Sequence, residues 1–310
     1  MTCGRRAVAG ARSGTVRRVP APAAVPPSLR ATAFRGSDAV RAGLLTKGQL
    51  RSQVWRRVWP DVHVHRDVAW THELRVRGAA LRWPDAVVTG RSAAVVWGVA
   101  LAGPDDDVQV TLPPWAHRVR VPGLRVRRAE VDAKRVLPFD RLWVASPELT
   151  AVELAGALPL DDGVVVVDQL VVAGGADLAE VRWLAGAALG PGSRRAERAC
   201  ALADGLAGSP QETRVRLLLG RSQLPAPVAQ YRVVDGGRFI ARVDFGWPAQ
   251  RVALEYDGLW HAEPGQFARD RERLNRLREA GWRVVFVTAG DLHDPGRLVA
   301  RVAAALAAGH

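Results

Sequence analysis

The chain has little of several things, and each scarcity excludes something. Of its 310 residues only two are cysteine, Cys3 and Cys200. Their contexts differ too much to form a disulfide framework, so a reducing, cytoplasmic setting is expected. No apolar run approaches the roughly 20 residues that a membrane-spanning helix needs. The longest, from Gly163 to Gly175, is broken by Asp168 and Gln169. Lysine is almost absent: two of the 44 basic residues, Lys47 and Lys134, against 42 arginines. That bias matches a GC-rich coding sequence as well as it matches selection for an anionic partner. The histidines His63, His65, His72 and His117 lack metal-ligand spacing.

What is present is a net charge of +13 and 48% apolar residues, enough for about two domains. The charge is unevenly spread. From Cys200 onward there are 15 Lys+Arg against 12 Asp+Glu, a net of +3, which leaves +10 upstream. Six of those charges, Arg5, Arg6, Arg12, Arg17, Arg18 and Arg30, lie in an acid-free, proline-bearing opening stretch. Residues 1–33 therefore read as a disordered tail. Arg12 cuts the apolar stretch Ala7 to Ala11 too short for the core of an export signal.

Residues 34–70 combine a capping-box pattern, Thr46 with Gln49, and an alternating ribbon through Val62 and Val64. They read as a truncated winged helix or as the edge of the following domain. Residues 71–193 mix helices and strands. Thr71 opens a helix through Leu81, Asp107–Leu112 and Val119–Arg127 are expected strands, and Ser146-Pro147 opens another helix. A linker or connecting helix is expected at Gly190 to Glu197. Residues 194–310 carry sharper signals. Ser209 caps a helix, Gly236-Gly237 joins two strands, Gly246-Trp-Pro-Ala marks a second turn, and Arg251–Asp257 is a third strand. A helix over Gln266–Ala280 ends at Gly281, a strand covers Trp282–Thr288, and a last helix runs from about Asp294 to Ala307. The class is α/β (α+β), with a C-terminal mixed sheet flanked by helices.

Candidate chemistry sits on those strands. Period-2 alternation puts Glu255 and Asp257 on one face, and the hairpin brings Asp244 beside Glu255. Converging carboxylates repel unless a proton or cation intervenes. Mg²⁺ or Mn²⁺ held by Asp244, Glu255 and the Tyr256 carbonyl would polarise a phosphodiester, and His261, beyond Gly258, would act as general acid or base. The plainer readings are that Asp257-Gly258 is a turn dipeptide, that Glu212 completes a capping box with Ser209, and that Arg269, Arg271 and Arg273 form a solvated helix face.

With Ser209-Pro-Gln-Glu212, Arg242-Val-Asp244-Phe-Gly-Trp-Pro248, Ala253-Leu-Glu255-Tyr-Asp257-Gly258, Trp260-His261, Asp270-Arg271 and Gly281-Trp282-Arg283-Val284 in order, the last hundred residues resemble the domain of unknown function related to very-short-patch-repair endonucleases, in the PD-(D/E)XK superfamily. The resemblance implies a restriction-endonuclease-like core acting on DNA as an endonuclease or nickase. It implies metal-binding acids at Asp244 and Glu255, the first-helix acid at Glu212, and a catalytic histidine at His261. Trp260, Arg269, Arg271 and Arg273 would face DNA. The lysine expected two residues after the second acid is Asp257, which leaves a mechanism using His261 or an inactive, DNA-binding regulatory scaffold. The stretch Gly43 to Leu50 and its ribbon resemble the winged helix of AbiEi antitoxins, implying a toxin-antitoxin or defence partner.

Overall fold

The computed structural model describes residues 25–257 and 266–308, with side chains described to 257 and again from 271. The chain divides into two compact units, Met1–Val68 and Ala69–His310.

In the first unit, β1 (Phe34–Arg35), α1 (Gly36–Arg41), α2 (Lys47–Leu50), β2 (Trp55–Trp59) and β3 (Val62–His65) follow in order, and the sheet runs β1-β3-β2, all antiparallel. The expected capping box forms. Thr46 Oγ1 accepts from the Gln49 N–H at 3.1 Å and Gln49 Oε1 accepts from the Thr46 N–H at 2.7 Å, although α2 is only one turn long. Val62 and Val64 are fully buried, as their alternation with His63 and His65 requires. Between β2 and β3, Asp61 takes a left-handed φ of 66° and its carboxylate accepts from Ser37 and Arg35, tying the turn to the start of α1.

The second unit opens with α3 (His72–Arg82), capped by Thr71, then β4 (Val87–Val88), α4 (Gly90–Val96), β5 (Val108–Leu112), β6 (Leu124–Arg128), β7 (Val136–Phe139) and β8 (Leu142–Ala145). These strands form a mixed sheet ordered β6-β5-β4-β8-β7. The strand expected from Val119 begins only at Leu124, because the chain first reverses at Pro122-Gly123, where Gly123 has a φ of 80°. Four helices follow: α5 (Pro147–Ala157), α6 (Leu160–Val172), α7 (Leu178–Ala187) and α8 (Ser193–Leu202). The expected domain boundary at 193/194 thus falls at the start of a helix inside this unit. The polar run there is amphipathic rather than a linker: Ala196, Ala199 and Cys200 enter the core shared with α5 and α6.

No described helix is long and apolar enough to cross a membrane. Asp168, which interrupts the apolar run of α6, is fully buried. Its Oδ1 accepts from the N–H groups of Asp204 and Gly205, both at 2.9 Å. Its Oδ2 accepts from Thr213 Oγ1 at 2.8 Å and Arg216 at 2.7 Å. A buried carboxylate persists only when satisfied in this way.

The C-terminal order is as expected: α9 (Pro210–Gly220), β9 (Val228–Asp235), β10 (Arg238–Trp247), β11 (Val252–Tyr256), α10 (Gln266–Glu279), β12 (Arg283–Val287) and α11 (Pro295–Ala307). The sheet runs β12-β11-β10-β9, with β11 and β12 parallel and the other pairs antiparallel. One face packs on α9 and α11 through Phe245, Leu254, Val215 and Leu298. The other packs on α10 through Val243, Ala253 and Leu277. Both glycines of the Gly236-Gly237 hairpin have positive φ, as a type I′ turn requires. Gly246, by contrast, is not in a turn. It continues β10 opposite Ala253, and a Cβ there would lie 2.8 Å from Tyr231, so this glycine serves close approach of a ring. The turn comes just after, over Pro248 to Arg251, and so keeps the Pro248-Ala249 half of the expected turn, with Arg251 at φ 50°.

Candidate functional site

Three of the predicted acids lie close enough to feel one another's charge, Glu212 that of Asp244 and Asp244 that of Glu255, and each is delivered by a different element. Glu212 comes from the first turn of α9. Ser209 Oγ accepts from the Glu212 N–H at 3.3 Å, but the Glu212 carboxylate does not close the expected capping box. Its Oε2 accepts instead from the Gly208 N–H at 2.9 Å and from Gln230 Nε2 at 2.8 Å. Glu212 therefore ties the backbone just before its cap to the sheet.

Gln230 lies on β9 with a left-handed φ of 49°, unusual for a strand residue. Around the position opposite, Asp244, β10 changes sides: Val243 packs with Val233 and Leu277, whereas Phe245 packs with Val252 and Leu254. The pairing of β10 with β11 runs from Trp247↔Val252 to Phe245↔Leu254. Beyond it, Asp244 replaces a backbone acceptor with its side chain, Oδ2 accepting from the Tyr256 N–H at 2.8 Å. Continuing the register sets Asp244 opposite Glu255, as the hairpin connection leads one to expect. The Tyr256 group that meets Asp244 is its N–H, not the carbonyl expected to bind metal.

Glu255 is buried on β11, and Arg273 of α10 grips both of its oxygens, Nη1 to Oε1 at 2.7 Å and Nη2 to Oε2 at 2.6 Å. Arg273 was expected on a DNA-facing surface; close along α10 to exposed Arg271, it turns inward because Glu255 offers a bidentate, charge-assisted partner. Asp257 is exposed, and its N–H continues the strand by donating to the Val287 carbonyl at 2.7 Å. Trp260 and His261, with Gly258, lie outside the described residues, as does the side chain of Arg269.

The electrostatics follow the geometry. Burial holds the Asp244 carboxyl above the usual carboxylate range, and the Glu255 charge adds to this, against the pull of the Tyr256 N–H, Arg273 and Arg242. Burial, then the charge of Asp244, likewise raises Glu212. Each carboxyl thus feels the next. A divalent cation does not fit the acids as they are paired. Both Glu255 oxygens are held by Arg273, and among the described residues no three His, Cys, Asp or Glu side chains converge on a metal position. Sequence reasoning missed Gln230 as the bridge between helix and sheet. No local signal marks a glutamine that adopts positive φ.

No family model matches the chain. The crystal structure of RV2827C from Mycobacterium tuberculosis is 19% identical with a TM-score of 0.40, over 67% of this chain and 82% of that one. Two Mycobacterium tuberculosis proteins, the uncharacterized proteins MT2308 and Rv2248, are each 32% identical over 273 residues, which is 84% of this chain and 96% of theirs. The chain belongs to the family of these two mycobacterial proteins.

Proposed function

We propose that the C-terminal part of the second unit is a phosphodiester hydrolase acting on DNA, an endonuclease or nickase. The observation that supports this reading is the convergence of Glu212, Asp244 and Glu255 where β9 and β10 depart from regular geometry, at Gln230 and Asp244. Irregular backbone and buried acids cost stability, and such expense concentrates at sites that do chemistry. Hydrolysis needs a group that takes a proton from water and a cation facing the phosphoryl oxygens. Asp244 and Glu212, whose carboxyls are raised and so bind a proton more readily, supply the first. Arg273, whose planar fork matches phosphate as well as carboxylate, supplies the second once phosphate takes the place of Glu255 on that fork.

Mg²⁺ or Mn²⁺, implied by the resemblance to repair endonucleases, would need Glu255 free of Arg273, so the reading rests on the chain's own groups. The same Arg273–Glu255 pair favours a second reading, a DNA-binding regulator on a nuclease-like scaffold whose acids are neutralised in place. Incubating the protein with supercoiled, single-stranded, duplex and mismatched DNA, with Mg²⁺, Mn²⁺ or EDTA, separates the two. Cleavage lost in Asp244→Ala supports hydrolysis; equal rates in wild type and Asp244→Ala rule it out.

A further inference from the structure

Between Arg118 and Arg128 the chain carries five arginines and no acid. The fold sorts them into two sets. On β6, side chains alternate, and Arg125 and Arg127 face Asp107, at 4.0 Å, and Glu153, at 2.6 Å. Arg118, Arg120 and Arg128 instead line an open groove of about 570 Å³ over Val121, Leu124 and Val126, with no carboxylate in its lining. β6 is an edge strand, so the groove opens along the sheet margin.

The groove is built rather than incidental. Its Pro122-Gly123 turn is fixed by Arg75 of α3, whose Nη2 donates to the Gly123 carbonyl at 2.9 Å, and by the Val108 N–H on the same carbonyl at 2.8 Å. At its other end Arg128 Nη1 donates to the Ala116 carbonyl at 3.3 Å, next to Trp115, which is 81% exposed. Three guanidinium groups lining one groove without an acid favour an anion with spaced charges, and Trp115, which lies in a neighbouring depression that Asp85 and Glu130 also line, offers a stacking surface. An apolar floor, an arginine rim and an exposed aromatic together match a nucleic-acid strand whose bases are unpaired.

We propose that this groove binds single-stranded nucleic acid, with backbone phosphates on Arg118, Arg120 and Arg128 and a base stacked on Trp115. The site lies on a different sheet from the acids and does not depend on hydrolysis. It is tested by fluorescence anisotropy of the full chain in EDTA with a labelled single-stranded DNA, the same sequence as RNA, and the DNA duplex, at several salt concentrations. Among the described residues Arg118 and Arg120 make no hydrogen bond or ion pair, so Arg118→Gln/Arg120→Gln should fold even if adding Arg128→Gln does not. The double variant is expected to bind single strands about tenfold or more weakly, with the salt slope reduced by about 0.7 for each phosphate that is no longer neutralised. Trp115→Ala is expected to abolish the preference for single strand over duplex, and the DNA and RNA arms show which sugar is accepted. No binding by wild type, unchanged affinity and slope in the double variant, or an unchanged strand preference in Trp115→Ala would each overturn the proposal.

Discussion

Arg273 and Glu255, 18 residues apart, meet fork to fork at 2.7 and 2.6 Å, with the glutamate side chain 9% and the arginine side chain 32% exposed. A helix cation thereby neutralises one end of the acid series, in which half-buried Asp244 comes next and buried Glu212 of α9 after it. The pair decides whether Glu255 is a structural anchor or an available ligand.

Arg273→Ala leaves the Glu255 charge without its bidentate partner. Losing one member of a fully buried pair costs about 3–5 kcal/mol, and the partial exposure of Arg273 lowers this to about 1–3 kcal/mol. A fall in melting temperature of roughly 3–10 °C is expected by calorimetry, with Arg273→Lys in between because it keeps the charge and loses the fork. In Arg273→Ala, Mn²⁺ is expected to raise the melting temperature by several degrees more than in wild type, since the Glu255 oxygens are then open. Equal shifts in the two proteins would show that Arg273 is not what keeps the cation out.

The raised carboxyls of Asp244 and Glu212 make stability depend on pH in a defined sense. Both hold their protons more tightly folded than unfolded, so their contribution is fullest below the ordinary carboxylate range, about pH 4, and is lost as pH rises through the raised values. Asp61 and Asp161 act oppositely, as does Asp291, whose carboxyl Arg301 holds down at about 2; what they contribute is lost as pH falls. Asp244→Asn and Glu212→Gln are therefore expected to match wild type at pH 4 and to melt progressively higher than it toward pH 7. A gain that is constant across pH 4 to 7 would contradict the assignment.

Asp168 makes a stability prediction remote from the site. Asp168→Ala leaves the N–H groups of Asp204 and Gly205 and the Thr213 hydroxyl without their acceptor and takes from Arg216 one of its two carboxylate partners, Asp204 being the other, and a loss of about 3 kcal/mol is expected, a fall on the order of 10 °C. Thermal melting of Asp168→Ala within 2 °C of wild type, a bound of about 1 kcal/mol, would show that the network carries little.

The C-terminal element order was legible in the sequence because its punctuation is chemical. Ser209 caps, Gly236-Gly237 turns and Gly281 at φ 74° stops α10, each through a local preference. Gly246 misled because glycine also serves close approach, here to Tyr231, and a sequence does not show which use applies. Asp168 was visible only as an interruption in an apolar run, since its partners lie 36 to 48 residues away. At the site, strand alternation and hairpin connectivity located Asp244 beside Glu255. The inward turn of Arg273 and the bridging of Gln230 to Glu212 are tertiary contacts without periodicity, so nothing in the local pattern announced them.

The central claim, that Glu212, Asp244 and Glu255 form a hydrolytic site, is tested most directly by single-turnover cleavage of labelled DNA by wild type, Glu212→Gln, Asp244→Asn and Glu255→Gln, each substitution removing one charge while keeping shape. A rate lower by about 100-fold or more is predicted in Asp244→Asn and Glu212→Gln, which lose the proton acceptors, and a lower rate in Glu255→Gln, which loosens the placing of Arg273, with melting temperature in Asp244→Asn retained or raised at pH 7. Cleavage by Asp244→Asn at the wild-type rate would contradict it.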